Sequence, residues 1–133
     1  MKNPGHVRAP FTLWAPVILY AAFIYFLSAH SFHFTWFRSA QKNHTDWLAH
    51  VVEYGVFGVL ICRALGAQDV FKRSAGRLFM ATVLAGVLYG ASDEFHQKFV
   101  PERDSSPYDV AADAVGTALG AWAWLKRAQK KDA

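Results

Sequence analysis

Two pairs of ionisable side chains have a spacing that lets one helix present them together. Glu53 follows His50 by three residues, and His96 follows Asp93 by three. Residues three apart lie on one face of an α-helix, so each pair sets a carboxylate beside an imidazole. Bundles that hold divalent metal ions use this arrangement, and a bound ion can promote attack on a phosphate. Buried acids more often have a structural role, so we expect no cofactor and keep a divalent metal ion as the alternative.

Most of the other polar candidates lie in residues 89–116, which read YGASDEFHQKFVPERDSSPYDVAADAVG. Ionisable groups that adjoin long apolar runs are costly to place in lipid, so by default they indicate a functional site. The candidate binding or catalytic residues are therefore His50, Glu53, Asp93, Glu94, His96, Gln97, Arg103, Asp109 and Asp113. The forked guanidinium of Arg103 is predicted to bridge Glu94 and Asp109.

The composition indicates a membrane protein. At 133 residues, the chain is expected to form one domain, 1–133. Hydrophobic residues make up 53% and aromatic residues 16%, which is above the range of soluble domains. The single cysteine, Cys62, excludes an internal disulfide and is expected to be a small core residue. The net charge is +4, but the basic residues are spread over connectors and termini, which argues against a nucleic-acid partner.

The apolar runs predict an all-α membrane bundle of four transmembrane helices, at about 11–29, 47–65, 78–98 and 107–125. The first run carries no formal charge, and Pro16 lies near its start, where proline is tolerated. A cleaved signal peptide is the alternative there, but no small-residue cleavage site follows the run. The third apolar run is short, so its helix is expected to continue through Asp93 to Gln97.

The connectors carry signals for helix starts and for the membrane interface. The connector at 30–45 is rich in aromatic residues, which favours a short interfacial helix. Thr45 or Asp46 is expected to cap the second helix. Ser106 is expected to cap the fourth, with Asp109 completing a capping box three residues later.

The distribution of Lys and Arg predicts the orientation of the bundle. Ten of the 14 basic residues lie in the termini and around the middle connector: Lys2, Arg8, Arg63, Lys72, Arg73, Arg77, Lys126, Arg127, Lys130 and Lys131. The other two connectors hold Arg38, Lys42, Lys98 and Arg103. Basic residues favour the cytoplasmic side, so both termini are predicted inside, and the loop of the 89–116 stretch is predicted outside.

Three helices carry ionisable groups to matched depths in the membrane. At about 1.5 Å per residue from the inner helix ends, the heights are about 18 Å for Glu53 and Asp113, about 22 Å for His50 and Asp93, and about 24 Å for Glu94 and Asp109. In a hydrocarbon core roughly 30 Å thick, all six groups lie in the outer half. The matched depths predict one polar cavity that opens outward.

Two glycine pairs predict close helix packing. Gly86 and Gly90 lie one turn apart in the third helix, and Gly116 and Gly120 in the fourth. Small residues at this spacing let two helix backbones approach closely. The fourth-helix pair shares a stripe with both aspartates of that helix, so we expect a tight hairpin of the third and fourth helices with the acids turned inward.

Three stretches carry a resemblance to a known family: FLSAHS, DWLAHVVEYGVFGVLICRAL and YGASDEFHQKFVPERDSSPYDVAADAVGTALG. On these the chain resembles the VanZ-like family of small membrane proteins, named for an accessory protein of teicoplanin resistance. The resemblance implies roles for His50, Glu94, Gln97, Arg103 and Asp109. It also implies a multi-pass location in the bacterial cytoplasmic membrane. The chain departs from the family pattern at Trp47, where Lys is often found, at Glu102, where Gly is usual, and at Asp113, where Asn is frequent.

The charge balance and the resemblance together leave three functions open. Eight of the ten acidic residues fall on the predicted outer side, so they must be protonated, hold a cation or meet a cationic ligand. The favoured function is a pocket that binds or shields a cell-envelope molecule, a lipid headgroup or a glycopeptide, and so contributes to glycopeptide resistance. The alternatives are an enzyme acting on a lipid-linked phosphate or envelope precursor, with a metal ion or a carboxylate base, and a small carrier. The expected partners are membrane lipids and that ligand.

Overall fold

The structure is a computed structural model that describes residues 10–30, 47–101, 103 and 105–132. Its helices are α1, Pro10–Ala29; α2, Trp47–Gly66; α3, Ala75–Gln97; and α4, Pro107–Asp132. The all-helical prediction is confirmed, and the described residues contain no strand. The predicted helix bounds agree to within a few residues, except that α4 continues past 125 into the basic C-terminal segment. The predicted interfacial helix, apart from His30, and the predicted caps Thr45 and Asp46 lie outside the described residues.

Two helices begin at serine caps. The Ser74 hydroxyl accepts a hydrogen bond from the Arg77 N–H at 3.2 Å and so starts α3. The Ser106 hydroxyl accepts one from the Tyr108 N–H at 3.2 Å, so Ser106 caps α4 as predicted. Pro107 then takes the first helical position, where its missing N–H has no helical partner to lose.

Pro16 lies in the second turn of α1 rather than at its start. Because proline has no N–H, the Thr12 carbonyl four residues earlier loses its usual helical partner. Arg63 of α2 supplies a replacement, since its Nη2 donates to the Thr12 carbonyl at 3.3 Å and to the Leu13 carbonyl at 3.5 Å. An unsatisfied carbonyl is costly in lipid, so Arg63 compensates for the proline and also ties α1 to α2.

The closest helix pair is α2 and α4, which run parallel. Gly116 lies against the backbone of Val51, and Gly120 lies against the backbones of Gly55 and Val59. A Cβ added at Gly120 would come 3.0 Å from the Val59 nitrogen. The prediction that the fourth-helix glycines pack against the third helix is therefore wrong, because this pair faces α2.

The α3 glycines do face α4, as predicted. Gly86 lies against the Thr117 side chain, and a Cβ added at Gly90 would come 2.5 Å from Asp113 Oδ2. Because glycine has no side chain, Gly86 and Gly90 leave space in which Asp113 lies buried between α3 and α4. Cys62 is fully buried beside the Ala121 carbonyl, which confirms its prediction as a small core residue.

Aromatic side chains attach α1 to α2 and α3. The Tyr20 hydroxyl donates to the Glu53 carbonyl at 3.2 Å, and the Tyr89 hydroxyl donates to the Ala21 carbonyl at 2.6 Å. The Phe57 ring contacts both tyrosine rings. These contacts lie in the middle of the bundle and hold the last turns of α1 beside the ends of α2 and α3 that carry the predicted site.

The first three helices are long and apolar enough to cross a membrane. Their solvent-exposed surfaces carry large apolar side chains, including Ile18, Leu19, Phe23, Val52, Val56, Met80, Leu84 and Leu88, as expected for helices that contact lipid. α4 is not among these three helices, and its first and last turns carry charged residues. The chain is therefore a membrane protein, while the fourth span, the orientation and the outward cavity stay predictions.

Candidate functional site

The predicted site residues gather where α1 and α3 end and where α2 and α4 begin. We call this region the polar end. Five of its polar side chains are only 1–6% exposed: Asp93, Glu94, Gln97, Asp109 and Asp113. Acids are rarely buried to this degree unless they are paired or bind a cation. The contacts of each carboxylate therefore indicate what the region can bind.

One contact joins α2 to α4 through His50 and Asp113. His50 Nδ1 lies 2.9 Å from Asp113 Oδ1. An ionised carboxylate only accepts, so with Asp113 ionised Nδ1 carries a proton and donates a hydrogen bond to Asp113. In a neutral imidazole, Nε2 then keeps a lone pair and can accept a proton or bind a metal ion.

Glu94 of α3 takes the role that the capping box assigned to Asp109. Glu94 Oε2 accepts the Ser106 N–H at 2.9 Å, just ahead of the first turn of α4. The Ser106 N–H, which the capping box predicts to bond to Asp109, is thus held by an acid of another helix. The Asp109 side chain also lies close to Glu94 and His50.

His50, Glu94 and Asp109 form a group to which α2, α3 and α4 each contribute one residue. One possible ligand atom from each residue lies within 4.8 Å of the other two. We call these three residues the His–Glu–Asp group. An imidazole and two carboxylates form a donor set that suits a divalent cation.

Asp93 and Glu53 lie beside this group with a different set of neighbours. The Gln97 amide donates to Asp93 Oδ2 at 3.1 Å, and the Ser28 hydroxyl lies next to the same carboxylate. His50 and Arg103 are both close enough to interact electrostatically with each of the two acids. Glu53 Oε1 and Asp93 Oδ1 are buried and have no hydrogen-bond partner among the described residues. Each of the two acids therefore keeps one buried oxygen that no described residue satisfies.

Arg103 does not form the predicted bridge. Its Nη2 donates to the Leu27 carbonyl, in the last turn of α1, at 2.7 Å. The ion pairs found among the described residues, His50 with Asp113 and Lys72 with Asp69, do not include Arg103. The last carbonyls of a helix lack intrahelical partners, so Arg103 caps the C-terminal end of α1.

The two pairs spaced three residues apart do not form the ligand groups that their spacing suggested. His96 turns toward α1, where its ring centroid lies 4.7 Å from that of Tyr25. Asp93 bonds to Gln97 instead, and Glu53 is not part of the group that converges with His50. Metal-ligand geometry arises between helices here, not along one helix.

A groove of about 420 Å³ runs between α2 and α4 at the polar end. Trp47 and Tyr108 flank it, Val51 and Val115 line it, and Asp109 lies in its wall. Asp109 belongs to both the groove and the His–Glu–Asp group. A molecule in the groove would therefore have an apolar surface along its length and an acidic group at one point.

Three further polar groups lie at the polar end and were not predicted from the sequence. Tyr54 is 1% exposed, and its hydroxyl has no hydrogen-bond partner among the described residues. Ser28 lies next to Asp93, and the Ser106 backbone N–H binds Glu94. Tyr54 directly follows Glu53, and Ser28 falls within FLSAHS, but hydroxyl side chains in apolar runs are too common to mark a site by themselves.

A sequence model of a known family, described as VanZ/LLP1, matches residues 11–127. The match spans nearly the whole chain and includes the helices that form the polar end. It confirms the resemblance that the three sequence stretches carry. No curated protein and no solved structure matches the chain.

Proposed function

The chain belongs to the VanZ/LLP1 family, and from this premise we propose that its polar end binds the polar part of a cell-envelope amphiphile. The bound molecule is a membrane lipid or a glycopeptide, and by binding it the protein contributes to glycopeptide resistance. The polar end faces outward in this proposal, and α4 is a fourth transmembrane helix of a multi-pass protein in the bacterial cytoplasmic membrane.

The groove between α2 and α4 is the observation that carries this proposal. It combines apolar walls with one buried acid, Asp109, which is 6% exposed. An apolar chain fits along Val51 and Val115, while a polar headgroup fits against Asp109. Ligand sites in proteins commonly combine apolar walls with a few polar groups in this way. Trp47 and Tyr108 flank the groove, and both residue types favour the membrane interface.

The exposed surface of α4 supports the fourth span. Val115, Leu119 and Trp122 are each more than half exposed and recur at helical spacing along one face of α4. A face of large apolar side chains is costly in water and favourable in lipid. Asp109 and Asp113 of the same helix are buried, so this part of α4 can lie in the membrane without exposing them to lipid.

Metal-assisted or general-base hydrolysis of a lipid-linked phosphate is the second candidate function. The His50–Asp113 contact favours it, because a buried carboxylate that accepts from Nδ1 orients the ring and leaves Nε2 available as a base. Turnover of a phosphorylated lipid by the purified protein, lost in His50→Gln, would support this candidate over simple binding.

The binding proposal is tested by filling the groove. Val115→Trp places a large ring in the groove, whereas Leu119→Trp puts the same ring about one turn further along the same exposed face of α4, outside the groove. Both variants are expressed in a glycopeptide-susceptible host, and antibiotic susceptibility is compared with that of cells expressing the unmodified chain. We expect Val115→Trp to abolish protection and Leu119→Trp to retain it. Equal protection by both variants would overturn the assignment of the groove.

Direct binding identifies the ligand. The purified protein in detergent is titrated with a glycopeptide in one experiment and with an anionic or a zwitterionic phospholipid in another, and the heat of binding is followed by calorimetry. Binding of only one of these classes, weakened by Val115→Trp, assigns the ligand. If neither class binds, the proposed function is wrong.

A further inference from the structure

We propose that the His–Glu–Asp group binds one divalent transition-metal ion, for which Zn²⁺ is the best match. The ligands are His50 Nε2 and one carboxylate oxygen each from Glu94 and Asp109. This inference goes beyond the proposed function and does not depend on it, since an ion can occupy the group whether or not an amphiphile enters the groove.

The donor set is the first argument. His50, Glu94 and Asp109 come from three different helices, yet one ring nitrogen of His50 and one carboxylate oxygen from each acid lie within 4.8 Å of one another. Four-coordinate zinc holds its ligand atoms roughly 3.4 Å apart, so small side-chain rotations close the remaining distance. Two carboxylates neutralise a dication, and the imidazole favours a transition metal over Mg²⁺ or Ca²⁺.

The state of Glu94 is a second, independent argument. Its side chain is 4% exposed, and its Oε1 has no hydrogen-bond partner among the described residues. Oε2 is held by the Ser106 N–H, so the carboxylate is fixed in place with one oxygen available. An acceptor left unsatisfied in a buried site is costly, and a bound cation removes this cost.

The contact between His50 and Asp113 is the third argument. Histidine ligands of metal ions commonly donate their second ring N–H to a carboxylate, which fixes the ring and selects the coordinating nitrogen. Asp113 makes this contact with Nδ1 at 2.9 Å and is 1% exposed. The pair therefore supplies the outer support of a metal site in addition to the ligand itself.

The test measures metal binding by the full-length chain, purified in detergent without an affinity tag. The protein is stripped with a chelator and titrated with Co²⁺, whose visible absorption reports coordination, and Zn²⁺ retained after washing is measured by mass spectrometry. We expect one ion per chain. Glu94→Gln and Asp109→Asn should each abolish retention, because an amide is a poor ligand for a transition metal. In Glu94→Gln, the new amide carbonyl can still accept the Ser106 N–H, so we expect the fold to be preserved.

Two further variants test the outer contact and the location of the ion. Asp113→Asn should weaken binding roughly 10- to 100-fold while retaining the stoichiometry. Asp69→Asn, in the loop before α3, is the matched control and should bind like the unmodified chain. Glu53→Gln should also retain the ion. If Glu53→Gln loses the ion while Glu94→Gln keeps it, the site lies on α2 alone and the proposal is wrong.

The remaining outcomes separate this proposal from the proposed function. No retained metal in the unmodified chain overturns the metal site, even if Val115→Trp still abolishes antibiotic protection. A retained ion together with equal protection by both tryptophan variants overturns the groove and leaves the metal site standing. If Glu94→Gln fails to fold, retention by Asp109→Asn and the affinity of Asp113→Asn decide the question.

Discussion

The parallel contact between α2 and α4 predicts opposite effects for two glycine-to-alanine substitutions within one interface. A Cβ at Gly116 would meet the Val51 backbone, with its Cα and carbonyl carbon both at 3.0 Å. A Cβ at Gly55 would meet only the Gly116 carbonyl oxygen, at 3.7 Å, which is an ordinary contact. We therefore expect Gly116→Ala to destabilise the protein and Gly55→Ala to be neutral or stabilising.

The expected difference follows from two contributions to the free energy of unfolding. Replacing glycine by alanine inside a helix stabilises it by about 0.5–1 kcal/mol, and this contribution is common to both variants. Overfilling a packed contact costs about 1–3 kcal/mol, and this contribution applies only to Gly116→Ala because the Val51 backbone cannot rotate away as a side chain can. Gly55→Ala should thus be more stable than Gly116→Ala by about 1–3 kcal/mol.

Reversible chemical unfolding in detergent micelles, followed by circular dichroism, measures this difference. Gly76→Ala is an external control, because a Cβ there has no neighbour within 4 Å and adds no packing contact. The control should unfold at the same denaturant concentration as the unmodified chain or slightly above it. Equal stability of Gly116→Ala and Gly55→Ala would show that Gly116 does not face α2 in the membrane protein, and the described helix pairing would be wrong.

Two further predictions concern orientation and Arg103. A cysteine introduced at Lys72 should react with a membrane-impermeant thiol reagent only after the membrane is opened, and one introduced at Phe99 should react in intact cells; the reverse pattern would contradict the predicted topology. Arg103→Ala should lower the free energy of unfolding by about 1.5–3 kcal/mol, since the Leu27 carbonyl loses a charged donor. Arg103→Lys should recover most of this loss because a single donor reaches that carbonyl, and thermal unfolding in detergent measures both variants. A wild-type melting temperature for Arg103→Ala would rule out the capping role.

Glu94 links the loop after α3 to any ligand at the polar end. Its Oε2 accepts the Ser106 N–H at the start of α4. Its Oε1 is buried and has no hydrogen-bond partner among the described residues. A cation or headgroup that binds Glu94 therefore also acts on the segment that begins α4. Asp109 lies in that first turn and lines the groove, so the group and the groove are mechanically connected.

The sequence alone was sufficient to predict the helices and the level at which the polar residues meet. Largely apolar runs can only satisfy their backbone groups in lipid as helices, so the helix bounds follow from the caps and the polar connectors between the runs. Ser106 was recognised as a cap because its position before Pro107 and a charged first turn is a local signal. His50, Asp93, Glu94, Asp109 and Asp113 are predicted to converge because their heights, counted from the inner ends of their helices, match.

Only the tertiary structure decided which side chains meet. A helical stripe shows which residues share a face, but the rotation of each helix about its axis depends on packing against its neighbours. For this reason Gly116 faces α2 instead of α3. The same packing brings Glu94 to the cap of α4, where the local pattern had assigned Asp109, and it places the Leu27 carbonyl within reach of Arg103. Contacts between residues distant in sequence depend on these rotations, and no local spacing encodes them.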